Sequence, residues 1–273
     1  MISVQASHTG LVRRNNEDCI RSDDKLGIYL LADGMGGHNA GEIASSLAVN
    51  TAYRLLSSSI GDSSTEDLFD LMKNAMFQAH MAINAEAETC FALLGMGTTM
   101  VMAIVRDATA YIAHAGDSRA YLFSTSCHGG ETLEQITKDH TMGDLMLESA
   151  IPRDLISEKQ FHTLTRAVGY DVAPTPDFNN VALDEGNILL LCSDGLTDML
   201  TDSEIRNLLL NGHEKLNTLA DILIDTANAK GGRDNVSVIL VKISNSHPLP
   251  AFKTSSCTVE NPPASDQREA KCS

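Results

Sequence analysis

Positive charge is scarce in this chain. Its 273 residues carry 20 Lys and Arg against 36 Asp and Glu, a formal net charge of −16. That balance argues against a nucleic-acid backbone or an anionic membrane as the main partner, because both reward basic side chains. Long apolar runs are lacking too, and none approaches the length of a membrane span. The opening Met1-Ile2-Ser3-Val4-Gln5 has neither the basic nor the apolar region of a secretory signal. The six cysteines, at 19, 90, 127, 192, 257 and 272, include no C-x-x-C pair, and their spacing suits neither a zinc site nor a disulfide framework. Reduced thiols in a cytoplasmic protein are the simple expectation, with Cys192 a small core residue. Gly36-Gly37 is not part of a G-x-x-x-x-G-K-[ST] loop, which argues against a nucleotide-binding P-loop.

What is present is enough for one large core or two modest ones, since 43% of the residues are hydrophobic. Apolar segments run to about residue 243 without a linker that marks a boundary. One domain over 1–243 is expected, followed by a disordered tail over 244–273 that holds four of the seven prolines.

Strands are expected at 2–7, 28–32, 98–105, 109–115, 119–124, 188–193 and 236–243, with a further candidate at 133–137. Helical periodicity covers 40–56 and 65–88, the second with Ser63 or Ser64 as its cap, and then 202–211 and 215–230. Gly231-Gly232 suits the end of the last helix. Residues 139–165 break the β pattern with short helical stretches around 142–149 and 157–161. Short turns between consecutive strands favour antiparallel neighbours. The result is an α+β fold, two antiparallel sheets face to face with helix pairs outside.

Three aspartates stand at the ends of apolar strands, each followed by Gly or Asn: Asp33, Asp194 and Asp234. Carboxylates far apart in sequence but similarly placed suggest one hard-cation site, of the kind that suits Mg²⁺ or Mn²⁺. Three in one cleft repel strongly unless cations neutralise them. Two divalent ions, with Asp33 bridging, would do so, and a water held between them becomes a nucleophile for phosphorus. Glycine at 34 allows close backbone approach, so its carbonyl is a further candidate ligand. Glu17 and Asp18 are candidates for contacts through metal-bound water. An acidic surface does not forbid a phosphorylated substrate when metal ions dominate the local field, and Arg13 is the candidate for its phosphate.

Six motifs, in order over about residues 1–243, resemble the metal-dependent protein phosphatases of type 2C in their bacterial form. They are Gly10-Leu11-Val12-Arg13-Arg14-Asn15-Asn16-Glu17-Asp18, Asp33-Gly34-Met35-Gly36-Gly37-His38, Gly95-Met96-Gly97-Thr98-Thr99, Gly116-Asp117-Ser118-Arg119, Ser193-Asp194-Gly195-Leu196 and Arg233-Asp234-Asn235-Val236. The resemblance implies a four-layer α-β-β-α sandwich, a binuclear Mn²⁺ or Mg²⁺ centre and hydrolysis of phosphoserine and phosphothreonine in proteins. It implies Asp33, Gly34, Asp194 and Asp234 in the metal shell, Glu17 and Asp18 through water, Asp117 at a candidate third ion, and Arg13 on the substrate phosphate. The family's mobile flap corresponds to 139–165. The implied partners are phosphorylated proteins and an opposing Ser/Thr kinase, and a monomer is expected. Eukaryotic members have His directly after Asp-Gly as the proposed general acid; Met35 stands there, and a thioether cannot donate a proton. His38 and a metal-bound water are the candidates in its place.

Blander readings compete at several positions. An isolated Asp-Gly is a common turn, and Asp117 could merely shape a hairpin. Thr98 and Thr99 read as strand residues with structural hydroxyls. His114, His128, His140 and His162 lack ligand-like spacing and read as structural or exposed. Arg119 reads as the partner of a local carboxylate. Two other functions stay open at this point: a non-catalytic phosphoprotein-binding module and a small-molecule phosphomonoesterase.

Overall fold

The structure is a computed structural model that describes residues 1–36, 40–61, 63–125, 130–170 and 172–244. His38 and the expected tail beyond Ser244 therefore lie outside the described residues. One sheet contains β1 (Ile2–His8), β7 (Arg119–Thr125), β8 (Glu131–Gln135), β10 (Ile188–Cys192) and β11 (Val236–Lys242), in the order β1-β11-β10-β7-β8. The other contains β2 (Asp18–Asp23), β3 (Ile28–Met35), β5 (Met100–Arg106), β6 (Thr109–Ala115) and β9 (Asp177–Ala182), in the order β2-β3-β5-β6-β9. A short β4 (Gly97–Thr98) pairs with the end of β3. Every strand pairing is antiparallel.

Period-two alternation builds the layers. On β3, Ile28, Leu30 and Ala32 face α1 (Ala40–Ser59) and α2 (Leu68–Ala87), while Tyr29 and Leu31 face the opposite sheet. On β11, Val236, Val238 and Leu240 face α6 (Asp202–Gly212) and α7 (Leu216–Ala229), while Ile239 and Val241 point inward. The central strands are apolar on both faces because both faces are covered. Ala44, Ala48 and Ala52 of α1 and Ala75 and Ala79 of α2 are fully buried, so small residues let the helices sit close to their sheet. The four layers are α-β-β-α, as expected.

Two strands had no clear signal in the sequence. β2 and β9 are the edges of their sheet, paired on one side only, and none of their residues is fully buried. Their sequences, DCIRSD and DFNNVA, are accordingly polar. The strand expected at 98–105 is broken at Thr99, whose N–H turns to the Asp33 carbonyl at 2.8 Å. The α2 cap also differs. Its N-cap is Asp67, and Ser64 donates its hydroxyl to the Asp67 carboxylate at 2.6 Å instead of capping. Asp194 does not simply end a strand; it opens the one-turn helix α5 (Asp194–Thr197). Asp234 precedes β11 rather than following a strand. Antiparallel pairing nevertheless brings these two aspartates together, because the end of β10 lies beside the start of β11.

Two glycines are required by close packing at this edge. A Cβ on Gly195 would lie 2.0 Å from the Asn235 carbonyl oxygen, and one on Gly34 would lie 2.1 Å from that of Gly41. Both clashes are with backbone, so no side chain can rotate away. We expect Gly195→Ala to lower the unfolding free energy by about 1–3 kcal/mol or more, the usual cost of overpacking. Urea titration reads this directly, and an unchanged midpoint would show that the β10–β11 edge relaxes freely.

Candidate metal centre

The site begins with the backbone. Asp18 on β2 lies directly opposite Asp33 on β3. The Asp33 carbonyl accepts bonds from the Thr98 hydroxyl at 2.7 Å and the Thr99 N–H at 2.8 Å, and its N–H donates to the Thr99 hydroxyl at 3.0 Å. These two hydroxyls therefore fix a main chain. Gly34 donates to the Glu17 carbonyl at 3.1 Å, and the glycine at 41 leaves room for the Glu17 carboxylate beside it.

Asn235 closes the other side. Its amide donates to the carbonyls of Thr9 and Asn15 at 2.9 Å each, and its oxygen accepts from the Glu17 N–H at 2.8 Å. This clasp holds the loop before β2 against the turn before β11. The same turn carries Gly232, at φ +49, whose carbonyl accepts from the Leu11 N–H at 2.7 Å. Arg13, on that loop, reaches Asp234 at 2.5 Å.

Glu17, Asp33, Gly34, Asp117, Asp194 and Asp234 all line one cleft of about 1140 Å³, with Arg13 on its rim. Asp18 lies behind them, its Oδ2 accepting from Ser193 at 2.8 Å. Every described candidate from the sequence is thus brought to one place. Sequence reasoning missed two more. Asp198 follows Asp194 by one helical turn, a spacing that was available as a signal. His162 had none; far from being merely exposed, it lines the cleft 3.7 Å from Asp198. His162, Asp194 and Asp198 offer ligand atoms within 4.8 Å of one another.

The root of segment 139–165 adjoins Asp117. Thr165 donates to the His140 carbonyl at 2.8 Å, and His140 donates to the Gly116 carbonyl at 3.0 Å. Burial lowers His140 to about 4, so its ring is neutral. Nδ1 accepts from the Gly116 N–H at 3.2 Å, which leaves Nε2 protonated to donate to Asp177 at 3.1 Å. Between these anchors the segment folds into α3 (Met142–Glu148), a single 3-10 turn (Arg153–Leu155) and α4 (Glu158–Phe161). Arg119 pairs with Asp139 at the same root, as its local-carboxylate reading expected.

The electrostatics are unfavourable as they stand. Burial, then the charges of Asp18, Asp194, Asp117 and Asp234, hold the Asp33 carboxyl well above its ordinary range. Asp194 is raised likewise by burial and by Asp117, Asp198, Asp234 and Asp18. Burial and Asp139 push Asp117 up to about 7, and burial pushes Asp18 up to about 6 despite bonds from Ser237 and Ser193. Two buried oxygens, Asp18 Oδ1 and Asp194 Oδ1, have no hydrogen-bond partner. Orphaned carboxylate oxygens in an acidic cleft are the environment a hard divalent cation relieves. Apart from the His162 ring, the donors in the cleft are carboxylate and carbonyl oxygens, which fits Mg²⁺ or Mn²⁺.

With this geometry in hand, likeness to known proteins is informative. A model of the protein phosphatase 2C family matches residues 6–235. The serine/threonine phosphatase Stp of Listeria welshimeri is 35% identical over 242 residues, spanning 85% of this chain and 92% of that protein. The crystal structure of the Mycobacterium tuberculosis serine/threonine phosphatase PstP/Ppp aligns with a TM-score of 0.77 at 33% identity, covering 89% of this chain and 98% of that one. The PstP catalytic domain in complex with 2 manganese ions aligns at 0.75 and 34% identity, covering 88% and 97%. The chain belongs to the protein phosphatase 2C family.

Without metal, each raised carboxyl binds its proton more tightly folded than unfolded. Between the unfolded value, about 4, and the raised folded value the native state holds more protons, so stability falls as pH rises. For Asp18 and Asp117 that contribution is complete below about pH 4 and lost above their raised values of about 6 and about 7. Cations compete with those protons. We expect Mn²⁺ to raise the melting temperature more at about pH 7.5 than at about pH 5.5, relative to EDTA. Equal increments in the two buffers would remove these carboxylates from the binding site.

Proposed function

We propose that this chain hydrolyses phosphoserine and phosphothreonine in proteins with a pair of Mn²⁺ or Mg²⁺ ions. The observation that carries the reading is the convergence of six carboxylates, from five separate stretches of chain, on one cleft beside Arg13. It is a serine/threonine protein phosphatase, as its relatives are named.

Asp33, Asp194, Asp234 and the Gly34 carbonyl would hold the ions, with Glu17 and Asp18 in contact through water and Asp117 at a third, weaker position. When bound, the pair supplies Lewis acidity toward the phosphoryl oxygens and lowers the pKa of the attacking water. The chain's own contribution is to fix the acceptors before anything binds, through the Thr98, Thr99, Ser193 and Asn235 hydrogen bonds. Arg13 is assigned to the phosphate: exchange of its Asp234 partner for a phosphate oxygen keeps a charge-assisted bond throughout. Burial costs the Arg13 charge something, and Asp234, Glu17 and Asp33 together more than offset this, so the group stays cationic. Met35 lines the cleft and cannot protonate a leaving alkoxide. His38 remains the side-chain candidate for that step, and it lies outside the described residues.

The catalytic unit is assigned to 1–243, with 139–165 as its mobile flap. The expected partners are phosphoproteins and an opposing Ser/Thr kinase, with the chain acting as a monomer. Cytoplasmic residence accords with free Cys19, Cys90 and Cys192. No helix among the described residues is long and apolar enough to cross a membrane.

Purified protein should dephosphorylate a phosphothreonine peptide with Mn²⁺ and stop in EDTA. Robust turnover in EDTA counts against the reading. Asp194→Ala should lower kcat by more than ~100-fold, since even outer-shell partners of a metal cost about 10–100-fold. In EDTA the same variant should melt no lower than wild type, because it removes a buried like charge. A variant that unfolds would instead make Asp194 a structural residue.

A further inference from the structure

Carboxylates are not the whole lining of the cleft. Met35, Leu164, Tyr170, Val172, Ala173 and Pro174 give it an uncharged wall, and the one cation within that stretch, Arg166, is paired with Asp177. Tyr170 is 51% exposed and Val172 79% exposed, so these side chains belong to no core. Exposed apolar groups that line the same cavity as a reactive centre mark contact with a ligand.

This wall is held before any ligand arrives. Val168 and Thr98 exchange two backbone bonds, at 2.9 and 2.8 Å, which pins the segment to β4. The Gly169 N–H donates to His80 Nδ1 at 3.0 Å, and Arg166 reaches over to the Thr175 carbonyl at 3.2 Å. Glycine at 97 joins the parts: a Cβ there would stand 3.0 Å from Met35 Cε and 3.6 Å from Tyr170 Cβ. Met35 therefore continues the surface that Tyr170 begins, from the carboxylates outward.

We infer that this wall is a specificity surface that takes an apolar side chain adjacent in sequence to the phosphorylated residue. The inference rests on the protein-phosphatase reading of the same cleft. An extended peptide advances about 3.3–3.6 Å per residue, so the side chain one or two positions from the phosphate stays within the cavity. Charge supports this occupant. Arg166, the cation of this stretch, is already engaged by Asp177 and the Thr175 carbonyl, so an acidic neighbour finds no free partner on the wall where an apolar one meets Tyr170 and Val172. Because the wall is prebuilt, contact with it costs little ordering.

The test uses the full chain with Mn²⁺ and three phosphothreonine peptides, identical except that leucine, glycine or aspartate flanks the phosphothreonine on both sides. Wild type should prefer the leucine peptide over the glycine peptide by about tenfold in kcat/KM, the scale on which an apolar pocket discriminates, and should disfavour the aspartate peptide. In Val172→Ser and in Tyr170→Ala, measured separately, the leucine-to-glycine ratio should fall toward one. The ratio is internal to each variant, so a change in folded fraction cancels. Equal rates on the leucine and glycine peptides with wild type, or a ratio that survives both substitutions, overturns the inference and leaves the parent reading intact. Hydrolysis of p-nitrophenyl phosphate with no turnover of any peptide removes the parent reading, and this one with it.

Discussion

Like-charge crowding is the constraint on which this structure turns. Asp18, Asp33, Asp117 and Asp194 are pressed together at one edge of the two-sheet sandwich, where burial and mutual repulsion all oppose their ionisation. Nothing local to the site recommends such an arrangement. It persists because strands apolar on both faces, packed between two helix pairs, leave the backbone no alternative. The sandwich thus holds acceptors in a geometry that bound protons or divalent cations make favourable, and stability elsewhere is converted into readiness here.

The polar residues around the carboxylates serve that end. Thr98 and Thr99 hold the Asp33 backbone, Ser193 holds the Asp18 carboxylate, and Asn235 holds the loop that presents Arg13 and Glu17. Each uses a short side chain with few rotamers, so little freedom is surrendered in the holding. They decide where the carboxylates and the guanidinium stand.

Much of this was legible in the sequence, unevenly. Continuous apolar strands and small-residue helices announced both sheets and all four long helices. The edges β2 and β9 did not announce themselves, since a strand paired on one side and half-solvated has no reason to be apolar. The aspartates were visible as strand-adjacent carboxylates, but the reason for their meeting was not. Asp234 enters its strand while Asp194 leaves one, and only the antiparallel pairing of β10 with β11 reconciles them. Asp198 was readable from helical spacing. His162 was not, because it arrives on a segment whose path no local pattern dictates.

The Asn235 clasp carries one more implication. It ties residues near position 10 to residues near position 235, a loop of more than two hundred residues closed by three hydrogen bonds. Such a distant closure is among the last events available to a folding chain. On the ribosome the first helix pair and its sheet can form early, while the centre stays open until β11 emerges. The newborn polypeptide therefore lacks an assembled centre until β11 has left the ribosome.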